Sequence, residues 1–240
     1  MATRSLQSAN WRNDRLFYRV MSLLIVATVF IGFAPTYYLK GYFQAPSLSP
    51  LVHLHGLVFT GWILLFVTQA LLVAKRRIDL HRQLGFAGAA LAALLVGIGL
   101  TTAIVSARRD FAAGNEGALG FLAIPFGDML VFSVLTTAAI AYRRRAEAHK
   151  RLMLLATVSI LGAAFARWPL AIMAAGPVAF FGATDVLVLA GVAYDLASRR
   201  RLHPAYVWGG LLILASQPLR LAIAETGAWL AFARALAHWS

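Results

Sequence analysis

Residues 51–74, LVHLHGLVFTGWILLFVTQALLVA, and residues 84–106, LGFAGAALAALLVGIGLTTAIVS, are two apolar runs separated by the basic connector KRRIDLHRQ at 75–83. A bilayer hydrocarbon core needs about 20 apolar residues in helical form, and each run meets that length. Lipid offers backbone groups no hydrogen-bond partner, so a spanning segment must be a helix or part of a closed barrel. A barrel needs short alternating segments, and neither run alternates. The pair therefore reads as a helical hairpin crossing a membrane twice.

The same reading extends along the chain to seven spans, at about 19–39, 51–74, 84–106, 119–142, 151–175, 178–197 and 205–231. The expected fold is an all-α, seven-helix transmembrane bundle forming a single domain over 1–240. Composition agrees. Hydrophobic residues are 60% of the 240 and charged residues 13%, against about 45–50% and 25% in soluble globular proteins. A disordered chain or a soluble domain is excluded on that balance. With no cysteine, disulfides, thiol nucleophiles, cysteine-held iron–sulfur clusters and covalently attached haem are excluded too. The first span follows a polar, basic stretch with no small-residue cleavage site and reads as a retained helix.

The net charge of +13 raises nucleic acid as a partner, but the positions of the charges argue against it. Four groups of bases fall on one side of a seven-span chain: Arg4, Arg12, Arg15 and Arg19; Lys75, Arg76, Arg77 and Arg82; Arg143, Arg144, Arg145, Lys150 and Arg151; and Arg199, Arg200 and Arg201. The other side holds Lys40, Arg108, Arg109 and Arg234. Positive residues accumulate on the cytoplasmic side, so the N-terminus is expected inside and the C-terminus outside. The arginines then serve as topology signals and contacts for anionic lipid.

Two connectors align without gaps, K-R-R-I-D-L-H-R-Q-L at 75–84 and R-R-R-A-E-A-H-K-R-L at 143–152, and a third, R-R-R-L-H-P at 199–204, keeps the triplet and the histidine. This pattern is expected if spans 2–3, 4–5 and 6–7 are repeated hairpins. Asp79 and Glu147 suit the start of the following helix, where a carboxylate complements free N–H groups and the dipole. His81, His149 and His203 either hydrogen-bond locally or converge at one depth and bind a metal or haem. His53 and His55 are further candidate ligands, although residues two apart on a helix diverge by about 200°. His55 shares a face with Phe59, Trp62, Phe66 and Gln69, the expected interior stripe.

Ionisable residues inside spans are functional suspects because each is costly unless paired. Asp128, Arg167, Asp185, Arg220 and Glu225 all fall in the outer half by residue count. The expectation is an ion-paired cluster of Asp128, Asp185, Arg167 and Arg220 beside an outward-open cavity, with Glu225, His55 and Gln69 contributing. Pro125, Pro169 and Pro218 lie in the same zone and free backbone carbonyls there. Such pairs can equally serve to lock helices together.

A retinal Schiff base is excluded, since Lys40, Lys75 and Lys150 are the lysines of the chain and none sits inside the last helix. No G-x-x-x-x-G-K-[ST] loop or H-E-x-x-H motif occurs, which excludes nucleotide-driven chemistry and the usual intramembrane zinc protease.

The series H-x-H-G at 53–56, W-x-x-x-F-x-x-Q at 62–69, L-H-R-x-L-G at 80–85 and H-K-R-L-M at 149–153 resembles uncharacterised bacterial polytopic inner-membrane proteins over about 50–155. That resemblance implies a setting and no activity. The L-H-x-x-L-G element is also similar to one in b-type di-haem cytochromes of the ascorbate-reducing kind. Those proteins hold haem b between paired histidines on facing helices, and here only His53 and His55 lie within a span. Three functions follow as expectations: a protein binding or passing a small ligand, ion or proton through a polar cavity; an accessory or assembly subunit with membrane-protein partners or further copies of itself; and a haem- or quinone-binding redox protein.

Overall fold

A computed structural model describes residues 2–238, with side chains from residue 13 onward; the Arg4 and Arg12 side chains counted as topology signals lie outside the described ones. The helices are α1 (Ala2–Phe33), α2 (Pro50–Ala74), α3 (Ile78–Ala112), α4 (Gly117–Phe121), α5 (Ala123–Ala141), α6 (Ala146–Ser159), α7 (Gly162–Phe165), α8 (Pro177–Arg199), α9 (Pro204–Ala224) and α10 (Gly227–His238), with a π turn at Ala34–Tyr38 and a 3₁₀ turn at Ala171–Ala175. No strand occurs among the described residues. Seven segments are long and apolar enough to cross a membrane: Asn13–Tyr38, Pro50–Ala74, Ile78–Ala112, Gly117–Ala141, Ala146–Phe165, Pro177–Arg199 and Pro204–Ala224. The protein is an all-α, multi-pass membrane protein.

Local chemistry sets the helix starts. Ser49 accepts from the Val52 amide at 3.4 Å and Pro50 occupies the first turn of α2, where a missing N–H is harmless. His203 Nδ1 accepts from the Ala205 amide at 3.1 Å ahead of Pro204. In the two aligned connectors the third base, Arg77 or Arg145, is the residue preceding the helix, and the acid, Asp79 or Glu147, lies in the first turn. The two aligned connectors thus enter their helices in the same way. His203 departs from this pattern, because the shortened third connector places that histidine at the cap itself.

The α6 segment is the centre of the bundle. Of its most apolar window 72% is buried, against 22% for α2 and for α3. It packs on α5, α8 and α9; α2 packs on α1 and α3, and α3 on α5. Phe132, Leu135, Leu152, Leu155, Tyr206 and Ile213 form the middle of the core.

Two spans differ from expectation. The fifth is not a continuous helix over 151–175; it starts at Ala146, breaks after Ser159 and resumes only for Gly162–Phe165. Ser159 Oγ donates to the Ala156 carbonyl and Thr157 Oγ1 to that of Met153, side-chain bonds that compete with the helical ladder. Pro169 then forbids a return to helix, and Trp168 Nε1 ties the irregular stretch to the Thr28 carbonyl at 3.2 Å. The seventh span ends at Ala224 instead of running to 231. Thr226 Oγ1 accepts from the Trp229 amide, capping α10, which packs on α3 and α4 through Ala107, Leu119, Leu122, Ala233 and Ala237.

Candidate functional site

Polar side chains gather at three places. The first is the end of the bundle that carries the basic connectors. Arg151 donates from Nε to Asp195 Oδ2 at 2.9 Å and from Nη2 to Asp195 Oδ1 at 2.5 Å. Its Nη1 reaches the Glu147 carbonyl and carboxylate at 2.7 and 2.8 Å. Lys150 bridges Asp14 and Glu147, each at 2.6 Å. Arg199 Nη2 holds Asp14 at 2.7 Å and Glu147 at 3.3 Å, and Tyr194 donates its hydroxyl to Asp14. Three acids and three bases from α1, α6 and α8 thereby neutralise one another. Arg151 was expected to be a connector charge; it is instead fully enclosed, because α6 starts five residues earlier than its hydropathy indicates.

His203 stands beside this network. Its backbone N–H donates to Asp195 Oδ2 at 3.2 Å. Burial, then the Arg151 cation, hold its imidazole below the ordinary histidine range.

The second place is at the opposite end, between α5, α8 and α9. Arg220, 4% exposed, donates from Nη1 to Asp128 Oδ1 at 2.5 Å and from Nη2 to Ser216 Oγ at 3.0 Å, with its guanidinium 5.5 Å from the Phe181 ring centre. A Cβ at position 127 would overlap the Arg220 side chain, so Gly127 makes room for it. Asp185 accepts from Gln217 Nε2 at 2.7 Å, one turn along α9 from Arg220.

The expected four-residue cluster is only partly assembled. Asp128 and Arg220 pair as anticipated, but Asp185 takes an amide partner rather than an arginine. Arg167 is exposed; it donates to the Ala163 carbonyl at 2.7 Å and lies 4.8 Å from the Phe33 ring centre. It stands away from the pair because α6 and α7 end before it. Glu225 is exposed at the end of α9 and has no ion-pair partner among the described residues, since the turn into α10 carries it out of the bundle.

The third place is the inner face of α2. Trp62 is 2% exposed and meets Phe132 edge-on; His55 stacks on Phe59 at 4.1 Å between ring centres. His55 Nδ1, Trp62 Nε1 and Gln69 Oε1, at seven-residue spacing on one face, are all buried without a hydrogen-bond partner, as are His81 Nδ1 on α3, Thr102 Oγ1 and Thr136 Oγ1. His53 points away from this face as expected, exposed and against Tyr37.

Where this face reaches the basic end, Gln69 Nε2 donates to the His81 carbonyl at 3.2 Å. The rings of His81 and His149 approach to 6.2 Å between centres, at 83°. His203 does not join them; its Nδ1 is occupied by the cap on α9. No group of three or more histidine, cysteine, aspartate or glutamate side chains surrounds a common metal position among the described residues.

Sequence reasoning missed Asp14 and Asp195. Asp195 had a visible signal, an acid inside an apolar span four residues before Arg199, a spacing that pairs charges on one helix face. Asp14 had none, because its partners are 136 and 185 residues away.

No family model, curated protein or solved structure matches this chain.

Proposed function

We propose that this protein, set in a bacterial inner membrane with its basic connectors in the cytoplasm, binds or passes a small polar ligand, ion or proton through its interior. The observation that supports the reading is the α2 face, where three polar side chains two turns apart each present a buried atom without a partner. An unsatisfied buried polar group costs about 1–3 kcal/mol, and such groups in native proteins are ordinarily met by water or ligand. Along α2 the line from His55 to Gln69 rises about 21 Å, much of the thickness of a bilayer core. The Asp128–Arg220 pair, with Arg220 Nε also unpartnered, provides charge at the end far from the basic connectors.

At the basic end, a groove of about 440 Å³ lies between α5, α6 and α9 and includes Tyr142, Arg145, His203, Trp208 and Glu147, whose carboxylate is paired with Lys150 and Arg151. Aromatic and arginine side chains at membrane-interface depth suit an anionic phospholipid there.

The native chain has no cysteine, so single cysteines report accessibility without background. Cysteine at positions 62, 69 and 136 should react with small water-soluble thiol reagents in detergent-purified protein. Cysteine at Leu95, fully buried among apolar side chains, should not. A dry interior, with all four equally unreactive, would end the proposal.

A further inference from the structure

We propose that His81 and His149 form a two-imidazole site for a transition-metal ion, where the starts of α3 and α6 approach each other. The two residues occupy the same position in the aligned connectors, fourth in their helices, so a repeated hairpin start delivers an imidazole from each copy to one point.

Geometry fits a shared ion. Metal–nitrogen bonds of about 2.0–2.1 Å place the centres of two coordinating imidazoles about 5–6.5 Å apart, from a tetrahedral to a linear angle. The observed separation is 6.2 Å, at the wide end of that range, which suits two imidazoles placed nearly opposite each other on a tetragonal ion such as copper. The tautomer of one ring is also fixed. His149 Nδ1 lies 2.8 Å from the Ala139 carbonyl, which only accepts, so Nδ1 is the donor and Nε2 is the nitrogen left to bind a metal. A ligating histidine held through its other nitrogen by a carbonyl is the usual supporting arrangement in metal sites. Two further atoms lack partners here, His81 Nδ1 and Gln69 Oε1, and Gln69 is anchored to the backbone of His81.

Imidazole nitrogens with at most an amide oxygen select zinc, copper, nickel or iron over magnesium or calcium. Two protein imidazoles leave coordination positions for water or substrate. That describes an exchangeable ion rather than a structural zinc, which takes four protein ligands. The proposal does not depend on a hydrated α2 face: thiol accessibility at 62 and 136 and metal retention at α3–α6 can fail separately.

The test uses the full chain in detergent, without a histidine tag, dialysed against Cu²⁺ or Zn²⁺ and analysed for bound metal. About one ion per chain is expected, with copper resonance spectra showing coupling to two imidazole nitrogens. His81→Asn and His149→Asn should each weaken retention about tenfold or more, while His203→Asn leaves it unchanged. Asn at 149 can still donate to the Ala139 carbonyl, which protects the fold, and the spectrum of the parent protein reads the ligands without any variant. No retained metal, or retention indifferent to both substitutions, overturns the proposal. A Soret absorption in the purified protein that both variants lose would also overturn it, by giving the two rings to haem iron.

Discussion

Arg151 and Asp195, on α6 and α8, are joined by two parallel charged hydrogen bonds at a point where both side chains are 1% exposed. A planar guanidinium matched to a carboxylate in this way fixes orientation as well as distance. Removing one partner leaves the other buried with weaker company, Asp195 with Arg199 at 3.5 Å or Arg151 with the half-exposed Glu147. Arg151→Leu is expected to destabilise the protein by about 3–5 kcal/mol, and Asp195→Leu by a similar amount. The double variant should lose less than the two singles summed, because no buried charge is left unpaired. Unfolding of the four proteins in detergent measures this; strict additivity would mean that the two side chains do not act as a pair.

At the other end, Gly127 and Arg220 are coupled by space. A methyl group at 127 meets the middle of the Arg220 side chain, whose tip is held by Asp128 and Ser216. Gly127→Ala should therefore cost about 1–3 kcal/mol, through displacement of Arg220 rather than through helix propensity. In an Arg220→Ala background the same change should be neutral or slightly stabilising, as expected for an ordinary helix position. An equal penalty in both backgrounds would remove Arg220 from the explanation.

His203 gives the basic end a pH dependence. Its folded-state pKa is lowered by burial and then by Arg151, and its neutral ring caps α9. In the window between that lowered value and 6.5 the unfolded chain binds more protons than the folded one. This stabilisation is thus complete above about pH 6.5 and is lost as pH falls through the folded value. Asparagine also caps helices but does not titrate. His203→Asn should flatten the part of the melting-temperature profile that declines just below pH 6.5; an unaltered profile would assign that decline to other groups.

The seven spans were legible because a run of about 20 apolar residues has few other uses. The breaks in the fifth and seventh were not: Ile160–Leu161 stay apolar while the backbone leaves the helix, and Glu225–Thr226, where α9 ends, are two polar residues inside a longer apolar average. Hydropathy reports the surroundings of a residue, and conformation here is set by hydroxyls and caps at Thr157, Ser159 and Thr226. The interior face of α2 was legible from spacing alone. The connector alignment put His81 and His149 at the same position, but only packing showed that they meet and that His203 does not. Of the outer charges, sequence supplied depth and sign. It could not say that Gln217 takes Asp185, or that the turns after α7 and α9 carry Arg167 and Glu225 out of the cluster.

Orientation rests on charge counts and is open to direct test. Cysteine at Arg144, in the connector between α5 and α6, and at Asn115, between α3 and α4, lies at opposite ends of the bundle, and both native residues are exposed. Sixteen bases on one side against four on the other should hold the Arg144 end in the cytoplasm. In intact cells a membrane-impermeant thiol reagent is expected to label the cysteine at 115 and to spare the one at 144 until the membrane is opened. The opposite pattern would invert the topology, placing the Arg151 network and the His81–His149 pair on the outer side and the Asp128–Arg220 pair on the cytoplasmic one. The ion a histidine site meets, and the direction in which a ligand enters, would then reverse together.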